Sequence, residues 1–189
     1  EEANYGDRPD GDGPRIQEGD FVRAQITSVA RDSIAVVVGG VDTRVPLHAL
    51  TFEYLVDART KYKVGQEIMV QVEQIIKEKD GHHIVEVNCK QPELERAKQM
   101  RSALPIGSIV FGIVSSVAAS KKQPGNINVL AYIKMYDLPV LVNNMPAKFL
   151  GSEPPRGSTV RLKVLNYLDN GMILCRCIGT QGPMNFPNA

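Results

Sequence analysis

Tyr132, Lys134 and Tyr136 fall on alternate positions of one stretch, and Val129, Ala131 and Ile133 occupy the opposite parity. On an extended strand each set keeps to its own face. Aromatic rings interleaved with a base suit one kind of chemistry: rings stack unpaired nucleobases while cations follow the phosphates. Arg161 and Lys163, opposite the apolar Val160, Leu162 and Val164, would add charge, as would Lys121 and Lys122 in an earlier connection. A second set stands nearer the start, with Phe21 and Arg23 opposite Val22 and Ala24, followed by Arg44, His48 and Lys90. The competing reading is structural, because Tyr and Lys are common on the wet face of a half-exposed strand. Aromatics make up only 6% of the chain and Trp is absent, which limits any stacking platform.

Other chemistries lack their signatures. There is no Gly-rich phosphate loop, no nucleophile elbow and no His pair at helical spacing, so no catalytic residue is assigned. Cys175 and Cys177 share a strand face, with Cys89 and His82-His83 as the remaining donors. The spacings of structural zinc are missing, so the cysteines read as core or surface thiols, and no metal or cofactor is expected. Three cysteines make no disulfide framework and point to an intracellular, reducing, cytoplasmic setting. No apolar run approaches the roughly 20 residues of a membrane span, and no signal-peptide pattern opens the chain. The chain begins at Glu1 rather than Met, as expected for a piece of a longer protein.

The elements that position these residues come in two copies. Gly19 to Ala30 lines up without a gap on Gly107 to Ala118, each a turn glycine followed by an alternating strand (Val22/Ala24/Ile26 and Val110/Gly112/Val114). The glycine among the second set marks an expected bend or bulge. Gly65 to Val72 lines up on Gly157 to Val164 in the same way, and Asp80-Gly81 and Asn170-Gly171 both supply hairpin chemistry. Repeats this long are whole small domains.

Within the first copy, strands are expected over Gly19–Ala30, Ser33–Val38, Val41–Leu47, Gly65–Val72 and His83–Lys90, with a short helix or helical turn over His48–Leu55. Five strands with a helical piece between the third and fourth is the layout of an OB-fold barrel. The pattern resembles the S1 domain, an RNA-binding OB-fold module. The resemblance rests on Gly19…Val22…Ile26…Val29, on Val45-Pro46-Leu47-His48-Ala49-Leu50, and most specifically on Tyr62-Lys63-Val64-Gly65-Gln66-Glu67-Ile68-Met69-Val70-Gln71-Val72. Ile84…Asn88-Cys89-Lys90 stands at the close of the last strand. Two departures bear on function: Asp32 to Val38 lacks the aromatics usual on the family's second strand, and Pro46 stands where a His is common.

The expected fold is all-β, two five-stranded S1-like OB barrels joined by a short helix. The boundaries are a flexible acidic lead-in (1–18), a first module (19–90), a helical joint (91–104), a second module (105–180) and a tail (181–189) in which Met184 and Phe186 could dock. In the joint, Pro92, Glu93 and Glu95 suit a helix start and Lys98 and Arg101 its end, with Leu94, Ala97 and Met100/Arg101 as the apolar stripe. The second module's second strand is expected over Asn128–Tyr136 and its third over Leu138–Val142, with an irregular Pro-rich loop at 143–156. Charge is uneven: residues 1–20 hold seven acids and two bases, whereas residues 102–189 hold eight bases and three acids. The basic half suits a polyanion. The resemblance therefore implies a non-catalytic binder of single-stranded RNA or DNA, RNA before DNA. The alternative is a structural subunit of an RNA-processing or transcription complex or a virus particle, using its barrels for contacts with other protein subunits.

Overall fold

The computed structural model describes residues 16–146 and 155–180. The lead-in up to residue 15, most of the Pro-rich loop and the tail with Met184 and Phe186 lie outside the described residues. The chain divides into two compact units, Glu1–Thr51 with Leu55–Pro92, and Phe52–Tyr54 with Glu93–Ala189.

The first unit is a five-stranded sheet of β1 (Phe21–Val29), β2 (Ser33–Val38), β3 (Val41–Pro46), β4 (Glu67–Lys77) and β5 (His83–Asn88), in the order β3-β2-β1-β4-β5. Alternation decides its faces. Val22, Ala24 and Ile26 turn inward from β1 to meet Ile34, Val36, Val38, Val45, Val70, Val72, Val85 and Val87, and Ile16, Leu50 and Tyr62 complete the core. Between β3 and β5 the threonine side chain supplies the link, Thr43 Oγ1 donating to the Val85 carbonyl at 2.5 Å.

The second unit repeats this order with β6 (Ile109–Ala119), β7 (Asn126–Ile133), β8 (Leu138–Pro146), β9 (Thr159–Tyr167) and β10 (Ile173–Thr180), and closes as a barrel. Closure comes from β10 running parallel to β8, with Ile173 opposite Val140 and Cys175 opposite Val142. Both units thus have the strand arrangement of an OB fold.

The copies agree in detail that composition alone would not give. Ladder irregularities fall between Ile26 and Ser28 and between Val114 and Ser116, then between Val72 and Gln74 opposite an equivalent shift facing Val164 and Asn166. Gly65 N donates to the Ile26 carbonyl as Gly157 N donates to that of Val114, both at 2.8 Å. Gly19 N to Val72 O is matched by Gly107 N to Val164 O. These four glycines all sit at φ between 86° and 92°, a conformation costly for residues with a Cβ.

Several expectations are corrected. No bulge forms at Gly112, which pairs regularly with Val160. Its missing side chain makes room for Leu162: a Cβ there would lie 2.9 Å from Leu162 Cδ1. The first copy has Ala24 and Val70 at the corresponding places, so a small–large pair replaces a medium–medium one.

Of the short helix or helical turn expected over His48–Leu55, the structure forms a single 3-10 turn, Leu47–Ala49. At its end the Ala49 carbonyl accepts from Cys89 N at 2.8 Å, which ties the turn to the residue after β5. A second 3-10 turn at Ala58–Thr60 is capped by Asp57, whose side chain accepts from Arg59 N. The hydrogen bonds from Arg59 lower the Asp57 carboxyl to about 2.

Strand β5 ends at Asn88, whose Oδ1 accepts from Gln91 N at 2.8 Å and starts helix α1 (Lys90–Met100). Leu94 and Ala97 are its buried residues, whereas Met100 is exposed. The helix body belongs to the second unit: Arg96 donates to the Asp137 carbonyl, and Arg101 donates to that of Leu168 while lying 5.1 Å over the Tyr167 ring. Among the described residues no helix is long and apolar enough to cross a membrane.

Candidate nucleic-acid interface

On the first barrel, β1, β2 and β3 present rows of outward residues, Gln25 beside Val37 and Asp42, then Ser28 beside Ala35 and Arg44. Phe21 and Arg23 continue the outward face of β1, both exposed. Arg44 Nη1 donates to Ser33 Oγ at 2.7 Å, which holds the guanidinium against the sheet. His48 stands exposed on the 3-10 turn that follows β3. Lys90 is not on a strand: it is the half-buried first residue of α1. In OB folds the face of strands two and three and the loops flanking it take oligonucleotides. Here those loops offer Arg31 after β1 and Lys79 and His82 after β4, all exposed.

One end of this face opens into a groove of about 410 Å³, lined by Gly39, Gly40, Val41, Asp42, Gly81, His82 and His83. His82 Nδ1 lies 2.7 Å from Asp80 Oδ2, and hydrogen bonding from His82 holds the Asp80 carboxyl below its ordinary range. In the sequence His82-His83 stand out only as donors beside the cysteines; the signal for the groove is the pair of glycine turns that line it, Gly39-Gly40 and Gly81.

The second barrel departs from expectation. Tyr132 is 1% exposed, although its strand parity is outward. Its hydroxyl donates to Asp137 Oδ1 at 3.3 Å. Burial first, then the carboxylates of Glu93 and Asp137, push the phenol above its ordinary range. Tyr132 is therefore no stacking surface.

Nor do Lys134 and Tyr136 share its strand. β7 stops at Ile133, and 134–137 form the turn into β8, closed by Tyr136 N donating to the Ile133 carbonyl at 3.2 Å and by Asp137 at φ 52°. Aspartate tolerates that left-handed geometry, and the tight turn shortens the strand.

The hairpin after β9 is also occupied. A Cβ on Gly171 would overlap the Leu94 carbonyl oxygen, whereas one on its counterpart Gly81 would meet nothing within 4 Å.

Arg161 and Lys163 do lie on the outward face of β9, the first exposed and the second half-buried. Lys121 and Lys122 are exposed in the β6–β7 turn. The structure adds residues missed in the sequence. Phe111 stands opposite Arg161, and Ile109 opposite Lys163, which faces Arg176 on its other side. Strict alternation along β6 would have exposed Phe111.

Cys89, Cys175 and Cys177 are free and buried, and burial pushes the Cys175 thiol up to about 12. Among the described residues no three His, Cys, Asp or Glu side chains gather as a metal site.

Residues 15–83 match the S1 RNA binding domain, a stretch that falls on the first unit. No curated protein matches the chain. Among solved structures, the chain is similar to part of the a/eIF2alpha-aDim2p-rRNA complex from Pyrococcus horikoshii at 13% identity and TM-score 0.34, over 47% of this chain and 60% of that one. It is similar to a multidomain protein with nucleic acid binding domains from Streptococcus pneumoniae at 13% identity and TM-score 0.32, over 85% of this chain and 53% of that one. A murine DNA binding protein bound with ds DNA matches at 13% identity and TM-score 0.25, over 83% of this chain and 93% of that one. The chain spans 60% and 53% of the length of the first two.

Proposed function

We propose that the chain is a non-catalytic binder of single-stranded nucleic acid, RNA in preference to DNA, built from tandem S1-like barrels within 19–90 and 105–180. The observation that carries this reading is the S1 match at 15–83, which falls on the unit whose β2–β3 face and flanking loops are open. Shared strand order, ladder shifts and turn hydrogen bonds support assigning the second barrel to the same type. Binding is sequence-tolerant: cations attract the backbone, then bases settle on exposed apolar side chains. Phe21, Arg23, Arg44 and His48 are the contacts assigned to the first barrel. An intracellular, reducing setting suits three free thiols.

Anisotropy of a labelled single-stranded oligoribonucleotide tests this, with unlabelled single-stranded DNA and duplex as competitors. The reading expects the single strands to compete best and RNA to exceed DNA. Preference for duplex, or no binding at low salt, refutes it.

A second reading, a docking part in a larger assembly, draws on β4 and β5 of the first barrel. There Met69 and Ile84 are exposed apolar groups on strands that also carry Glu67, Glu73 and Glu86. Those carboxylates repel a polyanion and leave a protein as the fitting partner.

A further inference from the structure

We infer that the second barrel carries its own track for single-stranded nucleic acid on the outer face of β6, β9 and β10, away from its β7 face. This rests on the nucleic-acid reading above and adds a site to it. The face is organised in two rows. Ile109, Lys163 and Arg176 are registered across three strands, and beside them run Phe111, Arg161 and Gly179. Ile109 and Phe111 are each 49% exposed, and Leu165 adds a third exposed apolar group at 40%.

Charge identifies the occupant. The three strands read IVFGIVSSVAA, TVRLKVLNY and ILCRCIGT, without a single carboxylate. The side chains of Arg161, Lys163 and Arg176 hold no hydrogen bond or ion pair among the described residues. Residues two apart on a strand stand roughly 6.6 Å apart and neighbouring strands about 4.8 Å apart. The three cations therefore sit within about one Debye length at 0.1 M salt and act on a polyanion together.

Phe111 lies beside Arg161 as a ring that a base can cover, and at Gly179 an added Cβ would meet nothing within 4 Å, so the row opens at its far end.

The first barrel provides an internal control. Its corresponding row is Phe21, Gln71 and Asn88, and Asn88 Nδ2 is spent on Glu73 Oε1 at 2.8 Å and on Gln71 Oε1. That row carries two basic side chains in one copy and amides tied to a single carboxylate in the other, while the neighbouring row places Arg23 where the second barrel has Phe111. The second barrel's β7 side, by contrast, has Tyr132 buried and its hairpin against Leu94.

The test uses the full chain and a labelled single-stranded oligoribonucleotide, with affinity followed against salt. Arg161→Gln/Lys163→Gln/Arg176→Gln should make the log–log salt slope shallower by about 2, since each lost phosphate contact removes about 0.7. Phe111→Ala should weaken binding about tenfold and leave the slope unchanged, the mark of a lost stack rather than a lost charge. Arg23→Gln/Arg44→Gln on the first barrel serves as the comparison.

If the triple variant keeps wild-type slope and affinity while the comparison variant weakens, the inference falls and the proposed function stands. If the triple variant binds RNA normally but loses self-association seen in the wild type, the face is a protein contact and the inference falls. If the wild type binds no single strand at low salt, both fall. Circular dichroism of each variant confirms that the exposed substitutions leave the barrels folded.

Discussion

Replacing Gly112 by Ala tests the packing on which the duplication rests. The added Cβ would lie 2.9 Å from Leu162 Cδ1 and 3.4 Å from Ala131 Cβ, with Leu162 fully buried in a closed barrel. Overpacking of this kind costs about 1–3 kcal/mol, of which Gly→Ala in a strand returns roughly 0.5–1, leaving a net loss near 1–2 kcal/mol. Leu162→Val, which removes a methylene, costs about 1 kcal/mol alone. Independent effects would sum to roughly 2–3 kcal/mol. The first copy holds Ala24 and Val70 at these places without strain, so Gly112→Ala/Leu162→Val should cost under about 1 kcal/mol, a coupling near 2 kcal/mol. Urea unfolding followed by tyrosine fluorescence, in a chain with six Tyr and no Trp, measures each value. Additivity within about 0.5 kcal/mol would refute the correspondence between the two cores.

Further outcomes follow from single sites. Gly81→Ala places a Cβ at φ 90° in open space and should cost about 1–2 kcal/mol, whereas Gly171→Ala at φ 106° must also displace the Leu94 carbonyl and should cost at least about 3 kcal/mol. Equal losses in urea unfolding would mean that α1 does not rest on that hairpin. Burial raises the folded Cys175 thiol from 9.0 to about 12, so the folded state keeps its proton where the unfolded state has lost it. Stability should therefore be unaffected below about pH 9 and fall towards pH 12 with a slope approaching 1.4 kcal/mol per unit. Native thiols should also react with an aromatic disulfide far more slowly than the unfolded chain, and rapid native labelling would contradict the burial. Tyr132→Phe loses the hydrogen bond to Asp137 and should cost about 0.5–1.5 kcal/mol without changing RNA affinity, and a drop in affinity would return that ring to the interface.

Alternation made most of the fold legible. Val22/Ala24/Ile26 and Val160/Leu162/Val164 are buried in the parity expected of them, and glycines at nearly the same offset mark equivalent turns. The site was less legible, because strand parity tells which way a residue points and not what lies over it. Tyr132 points outward yet is buried, with Glu93, Arg96 and Asp137 near enough to act on its hydroxyl. Phe111 went unmarked because it aligns with Arg23 of the other copy, and Arg176 because it lies between two cysteines that drew attention to metal chemistry. Only the register across β6, β9 and β10 brings those residues together with Arg161 and Lys163.

The most direct test is a two-dimensional amide NMR titration of the full chain with a single-stranded oligoribonucleotide. The account predicts shifts at Arg23, Ala35, Val37 and Arg44 of the first barrel and at Phe111, Arg161, Lys163 and Arg176 of the second, with Tyr132 and α1 unmoved. Shifts centred on Tyr132 and α1, or a spectrum unchanged at low salt, would contradict it.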